Sequence, residues 1–163
     1  MAAATSMQLH NVFVYGSLMA DEVVKVLLNR IPSAAPALLP GYQRHSIRER
    51  VYPAIIPAEK DKVNGKVLLS LADHELDILD KFEDVDYKRT LEEVIVLDNE
   101  KQQNSSSQLK AYTYVWADVN DKDLYGEWNF EAWKDSHMKD FVKMCENFMS
   151  DLKQPSTTRH VSI

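Results

Sequence analysis

The sequence reads as an α+β domain with a mixed or barrel-like sheet. Two patterns point there. Short β-rich apolar runs follow one another as sequence neighbours, joined by turns. Three helical stripes are inserted among them at irregular intervals, so there is no βαβ alternation. The length supports the same reading. A chain of 163 residues, 45% apolar and 27% charged, suits one packed domain and neither a disordered nor a fibrous chain. The domain is expected to span 1–163, with a core over about 9–116, a helical extension over about 124–152 and loose tails.

Asn11-Val12-Phe13-Val14-Tyr15 is a β-rich run that stops at Gly16 and reads as a buried first strand. Ser17 to Ala20 forms a loop. Asp21 is placed to cap a helix whose Val23, Val24, Leu27 and Leu28 fall on one stripe, and Ile31-Pro32 ends it. Pro32, Pro36, Pro40, Gly41, Pro53 and Pro57 then exclude helix over a long span. Short strands fit there, near 37–39, 43–47, 54–56 and 66–69, with Asn64-Gly65 as a tight turn. Residues 72–82 form the strongest helical pattern, with Asp73 as cap and Leu76, Ile78, Leu79 and Phe82 on the apolar side. Tyr87 to Leu97 alternates like a strand. The polar, serine-rich 99–108 segment connects it to a second aromatic strand at 111–116. After a turn at 118–123, a helix over 133–149 puts Trp133, Phe141, Met144 and Phe148 on one side, where it either covers the barrel or forms a dimer contact.

Charge and cysteine content exclude several function classes. The formal net charge is -6, and the tightest basic group, Arg44, Arg48 and Arg50, is interrupted by Glu49. Nucleic acid and anionic membrane surfaces are therefore not expected partners, because phosphate recognition needs a basic patch. The single cysteine, Cys145, forms no internal disulfide and reads as core. The start has no basic end and no sustained apolar run, so it is not read as a signal peptide. The expected setting is intracellular and cytoplasmic. The five histidines, His10, His45, His74, His137 and His160, show no metal-ligand spacing, so no metal site is expected.

Two features carry chemical potential. Tyr15-Gly16-Ser17-Leu18 joins a strand to a helix through a glycine, a geometry that exposes main-chain N–H groups able to hold carboxylate or phosphate oxygens. An ordinary strand-to-helix turn explains the same residues. Ser17 lacks the Gly-x-Ser-x-Gly surround of a serine hydrolase nucleophile. Glu83 lies seven residues after Leu76 and four after Leu79, so on a continuing helix it shares their inward face. A carboxyl group held there rises in pKa toward the range a general acid/base requires. If the helix ends earlier, Glu83 faces solvent or pairs with Lys88 or Arg89.

In order and separation, Tyr15-Gly16-Ser17-Leu18, Tyr52-Pro53-Ala54, Gly65, Leu79-Asp80-Lys81-Phe82-Glu83, Tyr87 and Arg89 resemble the gamma-glutamylcyclotransferase superfamily. Leu124-Tyr125-Gly126-Glu127-Trp128-Asn129-Phe130 is similar to its plant avirulence-induced branch. The resemblance implies a small barrel of mixed strands with helices outside. It implies that Tyr15, Gly16, Ser17 and Leu18, extending to Met19 and Ala20, bind a glutamyl group, and that Glu83 is the catalytic acid/base. The implied reaction is intramolecular acyl transfer on a small γ-glutamyl amide or peptide, releasing 5-oxoproline and an amine without a cofactor. The protein acting is a monomer or weak homodimer. The alternative is a non-catalytic module that binds a glutamyl-bearing ligand or partner.

Overall fold

A computed structural model describes residues 8–97 and 107–153. Five strands close into a mixed barrel: β1 (His10–Val14), β2 (Ala34–Ile47), β3 (Pro53–Leu71), β4 (Tyr87–Val96) and β5 (Ser107–Trp116). The order is β3-β1-β5-β4-β2, and pairing of β2 with β3 completes the circle. Only β1 and β5 run parallel, in register at Val12 and Tyr112. Helix α1 (Asp21–Leu28) follows β1, α2 (Asp73–Glu83) follows β3, and α3 (Phe130–Leu152) closes the described chain. A short β6 (Leu124–Tyr125) pairs with the end of β2.

β1 is apolar from Val12 to Val14 because both faces of that stretch are buried. Phe13 and Tyr15 join Leu39, Ile55, Val94 and Val115 in a cluster to which all five barrel strands contribute. Val12 and Val14 pack instead with α1, with Leu76 and Leu79 of α2, and with Trp133 and Phe141 of α3. The barrel interior and the layer under the helices are thus two cores that share strands β1, β3 and β5. Each fully buried side chain such as Phe13 or Ile55 contributes roughly 1.5–3 kcal/mol of transfer free energy. Helix α3 covers the barrel through Trp133, Phe141 and Cys145, all buried.

The proline-dense span differs from the expected run of short strands. It forms one long hairpin of β2 and β3, in register from Ala34–Leu68 to Ser46–Pro53, with an irregularity between Pro40 and Tyr42 where Gly41 takes φ +87°. On its other side β2 pairs with β4 only at Ala37 and Leu38, between Pro36 and Pro40, so neither proline is needed as a donor in that pairing. Asn64-Gly65 is not a turn. Both residues lie inside β3, opposite Leu38 and Ala37. A Cβ on Gly65 would sit 2.3 Å from the Val14 carbonyl oxygen and 2.9 Å from the Phe13 ring, so this glycine lets β1 close on β3.

The helix ends differ in smaller ways. Ala20 precedes α1, whose first residue is Asp21, and Asn29 ends it in the left-handed region at φ 62°. In α2 the capping acceptor is Glu75, whose Oε1 takes the Ala72 N–H at 2.9 Å, while Asp73 meets His10 at 2.6 Å. Helix α3 begins three residues before the expected start, where Asn129 Oδ1 accepts from the Ala132 N–H at 2.8 Å. Of the expected 99–108 connection, residues 99–106 lie outside the described residues. No helix among the described residues is long and apolar enough to cross a membrane.

Candidate active site

Where β1 ends, the chain makes a 3-10 turn over Ser17–Met19. The Met19 N–H donates to the Gly16 carbonyl at 2.9 Å, and the Ala20 N–H to the Ser17 carbonyl at 3.0 Å. The N–H groups of Ser17 and Leu18 precede the first bond of the turn and have no acceptor within it. Gly16 is required by close approach. A Cβ there would lie 2.7 Å from Cγ and Cδ of Pro53. The turn is held from behind by Arg44, which donates to the Tyr15 carbonyl at 2.8 Å and to the Asn64 carbonyl at 3.0 Å.

A cavity of about 280 Å³ opens beside this turn. Tyr15, Gly16, Ser17 and Leu18 line it together with Tyr52, Pro53, Glu83, Tyr87 and Tyr114. Met19 and Ala20 are not part of the lining, and their N–H groups are consumed in closing the turn. This departs from the expected six-residue cradle. Tyr15 serves the cavity through its position on the main chain, because its side chain is buried and its hydroxyl donates to the Tyr114 carbonyl at 2.6 Å.

Glu83 is the last residue of α2 and is half-buried in the cavity wall. The helix does continue to this position, so the spacing from Leu76 and Leu79 brings the carboxyl inward. Asp84 then turns the chain sharply at φ 60°, ψ -154°, a conformation that glycine alone adopts without strain. Neither expected cation reaches Glu83. Arg89 donates to Asp80 Oδ2 at 2.8 Å and stacks 4.6 Å over Tyr112. Lys88 is exposed on β4 and does not line the cavity. Among the described residues no hydrogen bond or ion pair satisfies the Glu83 carboxyl. Burial without a partner lifts its pKa from 4.5 to about 8.

Three tyrosines surround this carboxyl, and all are spoken for. Tyr87 donates to the Pro53 carbonyl at 2.7 Å, and Tyr114 donates to Asp80 Oδ1 at 2.7 Å. Burial, reinforced by the Glu83 charge among other causes, raises the hydroxyl pKa values of Tyr15, Tyr87 and Tyr114, so all three remain neutral donors. Sequence reasoning did not place Tyr114, or Phe141, Met144 and Phe148 of α3, at the cavity. Their alternation and helical stripe gave a signal for packing only. Among the described residues no three His, Cys, Asp or Glu side chains converge to hold a metal ion.

Residues 12–133 match the model of the family described as gamma-glutamyl cyclotransferase, AIG2-like. The chain belongs to this family. AIG2-like protein D of Arabidopsis thaliana is 54% identical over 149 residues, covering 91% of this chain and 95% of that protein. A solution structure of another Arabidopsis thaliana protein aligns at a TM-score of 0.67 with 41% identity, covering 94% of this chain and 99% of that one. The yeast gamma-glutamyl cyclotransferase specific to glutathione shares the fold at a TM-score of 0.54 and 14% identity, over 74% of this chain and 73% of its own. The AIG2-like segment 124–130 has a clear structural task here. Gly126 and Glu127 carbonyls take bonds from His45 and Ser46 at 2.9 and 2.8 Å, and Trp128 donates to the Val51 carbonyl at 2.9 Å. These bonds tie down the chain that leads to Tyr52 and Pro53, which line the cavity.

Proposed function

We propose that the protein is a γ-glutamyl cyclotransferase acting on small γ-glutamyl amides, with Glu83 as the acid/base. The observation that carries this reading is one unpaired carboxyl, lifted to about 8, lining the same cavity as a turn with free N–H donors. A carboxyl titrating near neutrality both accepts and returns a proton at small cost. A group buried only for packing would not be left without a partner.

The substrate's α-carboxylate docks on the N–H groups of Ser17 and Leu18. Its α-amine, brought opposite Glu83, loses a proton to the carboxylate and attacks the substrate's own γ-carbonyl carbon. A C–N bond forms to close the five-membered lactam. The bond from that carbon to the leaving nitrogen breaks, and Glu83 returns the proton to it. The products are 5-oxoproline and a free amine, with no water consumed. The protein's main contribution is to select the folded substrate conformer, since the nucleophile is already attached. The γ-oxygen gains negative charge in the transition state, and the same turn offers N–H donors for it.

The test is 5-oxoproline release from a set of γ-glutamyl amides and dipeptides. Wild type is expected to release it, and Glu83→Gln to bind the same compounds without releasing it. Turnover that survives Glu83→Gln removes the assignment of that residue. Binding without turnover in the wild type leaves a recognition module instead.

A further inference from the structure

The cavity has a second wall, and its chemistry is different. Phe82 of α2 and Phe141, Met144 and Phe148 of α3 form a contiguous apolar surface. Phe82 meets Phe148 edge-on at 5.2 Å and Phe141 at 6.1 Å. Met144 lines the cavity yet stays 42% exposed, so part of this surface has no partner among the described residues. All three α3 residues lie beyond residue 133, where the match to the family model ends. The charged lining residues, Glu83, Asp84 and Asp86, are all acidic, and among the described residues no Lys, Arg or His lines the cavity. Arg50, beside the lining residues Tyr52 and Asp86, is occupied by Asp86 at 3.7 Å and by the Tyr52 hydroxyl.

We propose that this α3 wall receives the leaving group and selects γ-glutamyl amides of apolar, above all arylalkyl, amines. The inference rests on the cyclotransferase reading given above and specifies its substrate class. The glutamyl end of the substrate is polar and belongs at the turn, where the N–H donors are. The group attached to the γ-carbonyl therefore extends across Glu83 onto the remaining wall. An aryl ring there buries its surface against Phe148 and Met144 and gains edge contacts. A leaving amino acid or dipeptide would bring a carboxylate to a wall with no cation among the described residues and beside three acidic side chains, which is unfavourable. Met144 is the specificity-determining position, because it is the exposed part of the wall.

The experiment compares kcat/KM for 5-oxoproline release from γ-glutamyl-phenethylamide, γ-glutamylglycine and Nε-(γ-glutamyl)lysine. The phenethylamide is expected to exceed each of the others by about tenfold or more, the usual worth of a filled apolar subsite. Met144→Lys places a cation on the wall at an exposed position. It is expected to lower the phenethylamide-to-glycine ratio by about tenfold or more. Phe148→Ala is expected to lower the same ratio through lost contact area. Equal or reversed preference in the wild type, or a ratio that does not move in Met144→Lys, overturns the inference and leaves the cyclotransferase reading in place. Absence of 5-oxoproline from all three compounds overturns that reading, and the inference with it.

Discussion

Helix α2 carries two inward glutamates, and they live in opposite environments. Glu75, in the first turn, is 3% exposed, and Arg30 grips it with two bonds at 2.6 and 2.7 Å. Its other task is to accept the Ala72 N–H. The hydrogen bonds from Arg30 hold its pKa below the ordinary value. Glu83, in the last turn, is more exposed yet has no partner among the described residues, and burial lifts it to about 8. One carboxyl is committed to joining α2 to the end of α1; the other is kept available. The difference shows that an inward carboxylate becomes a chemical group only where the fold withholds a cation from it. Arg89 is the informative neighbour. It lies close in sequence to Glu83, but Asp80 captures it at 2.8 Å.

Exchange of each glutamate for glutamine should separate the two roles most sharply. Glu83→Gln is expected to lower kcat for 5-oxoproline release by about 10²–10⁴-fold, the usual worth of a general acid/base. Glu75→Gln should leave kcat of the folded fraction near wild type, which single-turnover measurement below the melting temperature checks. A similar loss in both variants would mean that Glu83 is structural.

Next in size is Gly16→Ala. The added methyl meets Pro53 at 2.7 Å, so the turn must shift relative to Glu83. A displacement near 1 Å is expected to lower kcat/KM by about 10²-fold. The apparent pKa of Glu83, followed by NMR titration, should stay near 8 in this variant. A titration that moves with the turn would couple the two sides of the cavity more tightly than the geometry suggests.

Arg30→Ala leaves Glu75 buried without its cation and is expected to cost about 1–3 kcal/mol of unfolding free energy. That lies below the full loss for a deeply buried pair, because Arg30 itself is 45% exposed. Denaturant titration measures it. The activity pH profile should be unchanged.

The smallest effect is the pH dependence of stability, which should have two limbs. Glu83 binds its proton more tightly in the folded state, so stability falls as pH rises from about 4.5 through about 8. Its size is about 1–3 kcal/mol once the water admitted by the open cavity is considered. Glu75 has the opposite sign. Its contribution is present above its ordinary pKa and is lost as pH falls through the lowered one. Glu83→Gln should remove the alkaline limb alone. The kcat/KM profile should rise with an apparent pKa near 8, as the base form of the free enzyme is populated. Loss of the acidic limb in Glu83→Gln would assign that limb to the wrong residue.

Much of this was readable in the residues, and the rest was not for definite reasons. The apolar run at β1 and the stripes of α1, α2 and α3 follow from local periodicity, whereas the inward placement of Glu83 waited on α2 running as far as that residue. The proline-dense span was misread as separate short strands because a proline's cost depends on whether its side of the strand needs a donor. That depends on where β4 stops pairing with β2. Asn64-Gly65 carried a turn signal, but Gly65 answers to β1 pressing on β3. Met19 and Ala20 belonged to the expected cradle, yet the 3-10 turn uses their N–H groups.

The sequence by itself determined which segments could be helix or strand, because those properties repeat every few residues; it left open whether α2 would run on to Glu83 and so carry that side chain inward. The tertiary structure alone decided that Glu83 stays unpaired, that Arg89 goes to Asp80, and that Phe141, Met144 and Phe148 of α3 close the cavity. Those outcomes rest on contacts between residues distant in the chain, and on the competition among ionic partners once the barrel has closed.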